Sequence, residues 1–139
     1  MLWPDHCVEN SQGAEYHQDL DREARFDKQT YSVFKGINEQ VDGYSAIYNM
    51  LDYSETQLPS LLKNNDIDHV YVVGLALDYC VKYTAMDVAT KLNIKTTVLT
   101  DATKPVTEAT GKEALTLLEA NGVLFATTDD LMPKVIEDL

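Results

Sequence analysis

The sequence predicts an α/β fold, one parallel sheet covered by helices, and three observations predict it. The run His69-Val-Tyr-Val-Val-Gly-Leu75 is apolar almost throughout, the pattern of a strand buried on both faces. Asp78 to Leu92 follows, with Val81, Ala85, Val88, Ala89 and Leu92 at helical spacing. The alternation then repeats: strand Lys95 to Leu99, helix Val106 to Asn121, strand Val123 to Thr127, and a final helix near Asp130 to Leu139. Strands and helices in this order build right-handed βαβ units and therefore a parallel sheet.

The elements before these are weaker. Between Val8 and Lys28 there are few aliphatic residues, so the first 30 residues read as loop with at most a short helical turn. Tyr31-Ser-Val-Phe-Lys35 reads as a short strand ending at Gly36, and Tyr44 to Leu51 as a short helix. Thr56 suits the N-cap of a helix over Gln57 to Asn64, with Pro59 in the first turn, where a missing N–H does no harm. Pro105 precedes a helix start and Asn121-Gly122 follows a helix end, as capping chemistry requires.

At 139 residues the chain has material for one hydrophobic core, so residues 1–139 are expected to form a single domain. A formal net charge of -12 argues against nucleic acid or an anionic membrane as partner. No stretch approaches the ~18 apolar residues of a membrane span. Met1 to His6 shows neither a basic nor an apolar leader segment, which makes a cytoplasmic location the expectation. In that reducing compartment Cys7 and Cys80 are better explained by chemistry than by a disulfide.

In open α/β sheets, reactive groups gather at the carboxyl ends of the strands. Lys35 ends one candidate strand. Cys80 lies just past the turn Leu75-Ala76-Leu77-Asp78-Tyr79, at the mouth of the following helix. A thiol there meets the positive end of the helix dipole and unpaired N–H groups, which favours the thiolate and offers donors to an oxyanion. A lysine ammonium nearby would push in the same direction. Spacing alone also fits a small buried hydrophobe at Cys80 and a solvated charge at Lys35.

Several segments together resemble one family. Leu2-Trp3-Pro4-Asp5-His6-Cys7-Val8 is similar to the Trp-Pro-x-His-Cys-Val segment of nicotinamidases. Lys35-Gly36 with Asp42-Gly43-Tyr44-Ser45-Ala46 is similar to their Lys-Gly and Tyr-Ser-Ala/Gly-Phe elements, with Ile47 in the Phe place. Val72 to Val81 resembles their nucleophile turn, and Thr84-Ala85 and Thr97-Val98-Leu99-Thr100-Asp101-Ala102 continue the match. The order and spacing are compatible over nearly the whole chain. The resemblance is to nicotinamidase-type amidohydrolases of the isochorismatase-like family, with a three-layer α/β/α fold.

That resemblance implies a cysteine hydrolase converting nicotinamide to nicotinate and ammonia in NAD salvage. Cys80 would attack the carboxamide carbon and Lys35 would offset the negative charge. The N–H groups of Ala76 and Cys80 would hold the oxyanion, with a cis peptide bond at Leu75–Ala76. Trp3 and Tyr44 would wall the pyridine pocket. A divalent metal, zinc or iron, would be held by several residues, of which only His6 has a counterpart here; one imidazole falls short of the three protein ligands zinc takes. His17 and His69 read as surface or structural. The partner expected is a small molecule, and self-association to a homo-oligomer is also expected.

The family's first two strands, which carry an aspartate of its triad and the remaining metal ligands, have no counterpart in this sequence. They would lie in the sheet between the Ser32–Lys35 strand and the His69–Leu75 strand. The expectation is an N-terminally incomplete domain with unpaired ladders, apolar faces without cover, and low stability or activity. Two other readings stay open: a related hydrolase acting on a different small amide, and a non-catalytic form that keeps only the fold.

Overall fold

A computed structural model describes residues 3–15, 30–38, 40–50 and 52–131. The chain divides into two compact units, Met1–Ser32 and Val33–Leu139. In the first, the described residues form loop and one 3-10 turn, Gln12–Ala14. Ser11 precedes that turn, with its hydroxyl donating to the Val8 carbonyl at 2.6 Å. Over residues 3–15 this agrees with the loop and short helical turn expected from the polar composition; residues 16–29 of that expectation, His17 among them, lie outside the described residues.

The second unit carries the sheet. Helix α1 is Leu58–Asn64 with Pro59 in its first turn, and the Thr56 hydroxyl accepts from the Leu58 N–H at 3.0 Å. Strand β1 is His69–Leu75. A π-helical turn, Leu77–Val81, leads into α2, Lys82–Thr90. Strand β2 is Lys95–Lys104, longer than expected. Helix α3 is Glu108–Ala120, capped by Thr107, whose side chain accepts from the Thr110 N–H. Strand β3 is Leu124–Ala126 and α4 is Thr128–Leu131. Of the helix expected over Asp130 to Leu139, residues 132–139 lie outside the described residues.

The three strands are parallel in the order β1-β2-β3, the arrangement that right-handed crossovers through α2 and α3 produce. Val72 of β1, Val98 of β2, Leu77 and Val81 of the turn, Ala85 of α2, Leu118 of α3 and Val123 form one buried cluster. Val70, Met86, Ala89 and Leu115 pack against it. His69 is structural, as expected: its Nε2 lies 2.9 Å from the Thr97 hydroxyl and its ring lies against Tyr71. Among the described residues no helix is long and apolar enough to cross a membrane.

Three expectations need correcting. Strand β1 is not buried on both faces: Tyr71, Val73 and Leu75 are exposed. Its only ladder among the described residues is to β2, so it stands at the sheet edge, where apolar side chains lack neighbours. Tyr31 to Lys35 is not a strand, because a strand exists only through a hydrogen-bonded neighbour and no described segment pairs with it. Phe34 is accordingly 79% exposed. Of the helix expected over Tyr44 to Leu51, the described residues 44–50 are not helical either, and Leu51 lies outside the described residues. Tyr48 bridges Glu55 antiparallel, and Thr56 N–H donates to the Ile47 carbonyl at 2.9 Å. The reversal is held by Asp52, whose carboxylate accepts from the Ser54 N–H at 3.0 Å. Local side-chain bonding of this kind outcompetes the helix.

Candidate active site

The turn bearing Cys80 is built from the end of β1 outward. The Leu75–Ala76 peptide bond is cis. The Ala76 carbonyl then accepts from the N–H groups of both Tyr79 and Val81, each at 3.1 Å, so the chain folds tightly over itself. Leu77 and Val81 are buried in the core, while Tyr79 and Cys80 remain partly exposed. Helix α2 begins two residues later, so the thiol sits at its N-terminal end, where the dipole favours negative charge. Cys7 and Cys80 are both free thiols.

Lys35 reaches this thiol. Its Nζ donates to Cys80 Sγ at 3.3 Å and to the Gly43 carbonyl at 2.9 Å. Residues 45 apart in sequence thus share one contact, with the cation beside the sulfur it would activate. The segments carrying Lys35 and Gly43 pass unusually close. A Cβ on Gly43 would lie 2.5 Å from both the nitrogen and the Cα of Gly36, and Gly36 itself has φ +65, a conformation costly for other residues. Gly36 is therefore required by its own φ, and Gly43 by the close approach of the Gly36 backbone.

Two threonines hold the Gly43 loop, Thr84 from α2 and Thr56 from just before α1. The Ala46 N–H donates to the Thr84 hydroxyl at 2.9 Å, and the Thr56 hydroxyl donates to the Ala46 carbonyl at 2.6 Å. Ser45 and Ile47 on either side are buried. Tyr44 lies against the turn and the helix, with its ring centroid 5.5 Å from Tyr79 and 5.6 Å from Tyr83, the latter stacked at 16°. The Lys82 ammonium stands 4.6 Å from the Tyr83 centroid, close enough for a cation–π contact.

Asp78 fastens the turn from the other side. It is 2% exposed and accepts from the Val106 N–H at 3.0 Å and from the Thr110 hydroxyl. Burial opposes its charge, but the donated bonds from Thr110 and Val106 outweigh that and hold the carboxyl below the usual carboxylate range. Asp101 serves the β3 side of the sheet instead. Its carboxylate accepts from the Thr128 N–H at 3.0 Å and from the Thr128 hydroxyl, at the start of α4.

Residues 2–130 match the isochorismatase domain family. The chain belongs to the isochorismatase family. This isochorismatase-family chain is 43% identical over 106 residues to a nicotinamidase of Escherichia coli (strain K12), covering 76% of the chain and 47% of that protein. It spans about half the length of the curated relatives it matches. Among solved structures it is similar to an Acinetobacter baumanii nicotinamidase/pyrazinamidase, with a TM-score of 0.85 at 36% identity, over 94% of this chain and 61% of that one. It is also similar to the yeast nicotinamidase bound to the inhibitor nicotinaldehyde, with a TM-score of 0.82 at 33% identity, over 92% and 59%. A pyrazinamidase of Pyrococcus horikoshii in complex with zinc aligns with a TM-score of 0.74 at 28% identity, over 91% and 63%.

Of the residues singled out in the isochorismatase-family sequence, Cys80, Lys35, Ala76 and Tyr44 all fall in the second unit, around one turn. Trp3 and His6 belong to the first unit. The His6 imidazole is exposed, and its Nδ1–H donates to the Pro4 carbonyl at 2.7 Å. Among the described residues no three His, Cys, Asp or Glu side chains come together as a metal site. One imidazole does not hold zinc, so the described residues do not fit a metal centre. The sequence alone gives no role at the site to the Gly43 carbonyl, Thr56, Thr84 or Asp78. A signal for two of them is present, since Asp78 and Thr84 lie inside the matched motif.

Proposed function

We propose that this protein hydrolyses nicotinamide to nicotinate and ammonia, with Cys80 as nucleophile and Lys35 as its cationic partner. The observation that carries the reading is the 3.3 Å contact between Lys35 Nζ and Cys80 Sγ. Had those two groups stood on opposite sides of the molecule, no amidase chemistry could be assigned to either. Relatives named nicotinamidase favour this substrate over other amides. The inhibitor held by the yeast relative presents a carbonyl on the same pyridine ring.

In the proposed reaction the Cys80 sulfur adds to the carboxamide carbon and the carbonyl oxygen becomes an oxyanion, held by the N–H groups of Ala76 and Cys80. Collapse of that adduct, with the proton given up by the Cys80 thiol delivered to the amide nitrogen, breaks the C–N bond, releases ammonia and leaves a thioester. Water then adds to the thioester, releasing nicotinate and restoring the thiol, so one water is consumed in each cycle. The Lys35 ammonium offsets negative charge at each stage. Tyr44, flanked by Tyr79 and Tyr83, gives the flat ring an apolar surface. Trp3 and His6 carry their ring-contact and metal roles on the resemblance, and no step depends on them. The product is the pyridine acid from which NAD is rebuilt, which sets the reaction in NAD salvage.

The test is incubation with nicotinamide, following ammonia and nicotinate release together with the mass of the Cys80 peptide. A nicotinoyl adduct on Cys80 and ammonia release that vanish in Cys80→Ser are expected. If neither product nor adduct exceeds the Cys80→Ser background, the reading fails. Preference for another small carboxamide would transfer the same chemistry to a different substrate.

A further inference from the structure

The contact between Lys35 and Cys80 is anchored at both ends, and the anchor on the cysteine side has no assigned role. On the lysine side the ammonium is held by the Gly43 carbonyl at 2.9 Å. On the cysteine side the turn Leu77–Val81 is sunk into the core by Leu77 and Val81, 6% and 3% exposed. Apolar burial is non-directional. It fixes how deep the turn sits but sets no direction for it. Hydrogen bonds to a carboxylate have direction. Asp78 receives the Val106 N–H, shared between its two oxygens at 3.0 and 3.2 Å, together with the Thr110 hydroxyl from the first turn of α3.

We propose that Asp78 is the positioning residue of this site: its buried carboxylate ties the Leu77–Val81 turn to the start of α3 and so sets Cys80 Sγ against Lys35 Nζ. The inference deepens the proposed function, because it takes Cys80 as the reactive thiol. Electrostatics gives it a sign that separates it from the alternatives. A carboxylate two residues from a thiol, acting through space alone, disfavours negative sulfur, so its removal would make Cys80 more reactive. A purely structural carboxylate would alter the melting temperature and leave the reactivity of the folded state unchanged. A positioning carboxylate predicts the opposite of the first: neutralising it makes Cys80 less reactive.

The experiment is competitive alkylation of the full chain with iodoacetamide, read by mass spectrometry as the ratio of Cys80 to Cys7 modification. Cys7 is the exposed second thiol and serves as internal reference. Asp78→Asn is expected to lower the ratio at least fivefold. Thr110→Val should lower it by a smaller factor, while Thr110→Ser, which keeps the hydroxyl, should stay within twofold of the parent. Nicotinamide turnover in Asp78→Asn should fall in kcat with KM within about twofold. A ratio that is unchanged or raised in folded Asp78→Asn overturns the proposal. Should that variant not fold, an unchanged ratio in Thr110→Val overturns it equally. Because alkylation needs no substrate, absence of ammonia release from the parent chain would sink the nicotinamidase reading and leave this test standing.

Discussion

Replacing Gly43 by alanine tests the site with a single methyl group. Gly43 is not among the residues at positive φ, so the backbone accepts alanine and the whole effect is steric. The new Cβ would lie 2.5 Å from the nitrogen and Cα of Gly36, whereas comfortable contact between heavy atoms begins near ~3.5 Å. The two segments must therefore part by about 1 Å. Neither opposing atom belongs to a flexible side chain that could swing away. A shift of that size stretches the bond from Lys35 Nζ to the Gly43 carbonyl, now 2.9 Å, beyond hydrogen-bonding range, and draws the ammonium from Cys80. Misplacement of a reacting group by about 1 Å can cost roughly a hundredfold in rate, while overpacking costs about 1–3 kcal/mol of stability. The assay is the Cys80 alkylation rate together with ammonia release, with circular dichroism as the check on folding. Alkylation and kcat/KM should fall by one to two orders of magnitude in a protein that is still folded. A folded Gly43→Ala within twofold of the parent in both would refute the close-approach argument.

Lys35→Gln should slow Cys80 alkylation about tenfold at low ionic strength and by less at high salt, because the lysine is exposed and its charge is screened; a salt-independent effect would count against an electrostatic role. Leu118→Ala, at a fully buried position of α3, should cost about 2–5 kcal/mol in denaturant unfolding through the cavity it leaves. The depressed Asp78 carboxyl contributes stability that is fully present above the ordinary aspartate value near ~3.9. That contribution is lost as pH falls through the lower folded value. Melting temperature should therefore drop as pH falls below about 4, with a shallower drop in Asp78→Asn. Thr84→Val removes the acceptor of the Ala46 N–H, a loss of about 1–3 kcal/mol that urea titration would detect.

What the sequence makes legible is what local pattern alone determines. The edges of β1 agree with the apolar run His69 to Leu75, and α3 lies between Pro105 and Asn121-Gly122, where capping chemistry puts it. Cys80 stands out because motif and strand-end logic agree on it; Lys35 stands out by its motif, since the strand expected to end at it does not form among the described residues. Out of reach is everything that depends on a neighbour. The exposure of Tyr71, Val73 and Leu75 follows from β1 having one strand neighbour among the described residues, and Tyr31 to Lys35 forms no strand because nothing described pairs with it. The turn at Asp52 has a signal in its Asp-Tyr-Ser sequence, but the helical spacing through residues 44–51 points the other way. The Gly43 carbonyl and the Asp78 tie to Thr110 join segments that no window of sequence brings together.

The two hydroxyls that grip Ala46 have a wider consequence. Thr84 belongs to the helix that begins just after Cys80, and Thr56 leads into α1, so a single residue is clamped between two helices. Any tilt of α2 must carry the strand of backbone that seats the lysine along with it. The Cys80 thiol and the Lys35 ammonium therefore travel as passengers on one frame, and heat should loosen the whole frame before it alters the spacing of the pair.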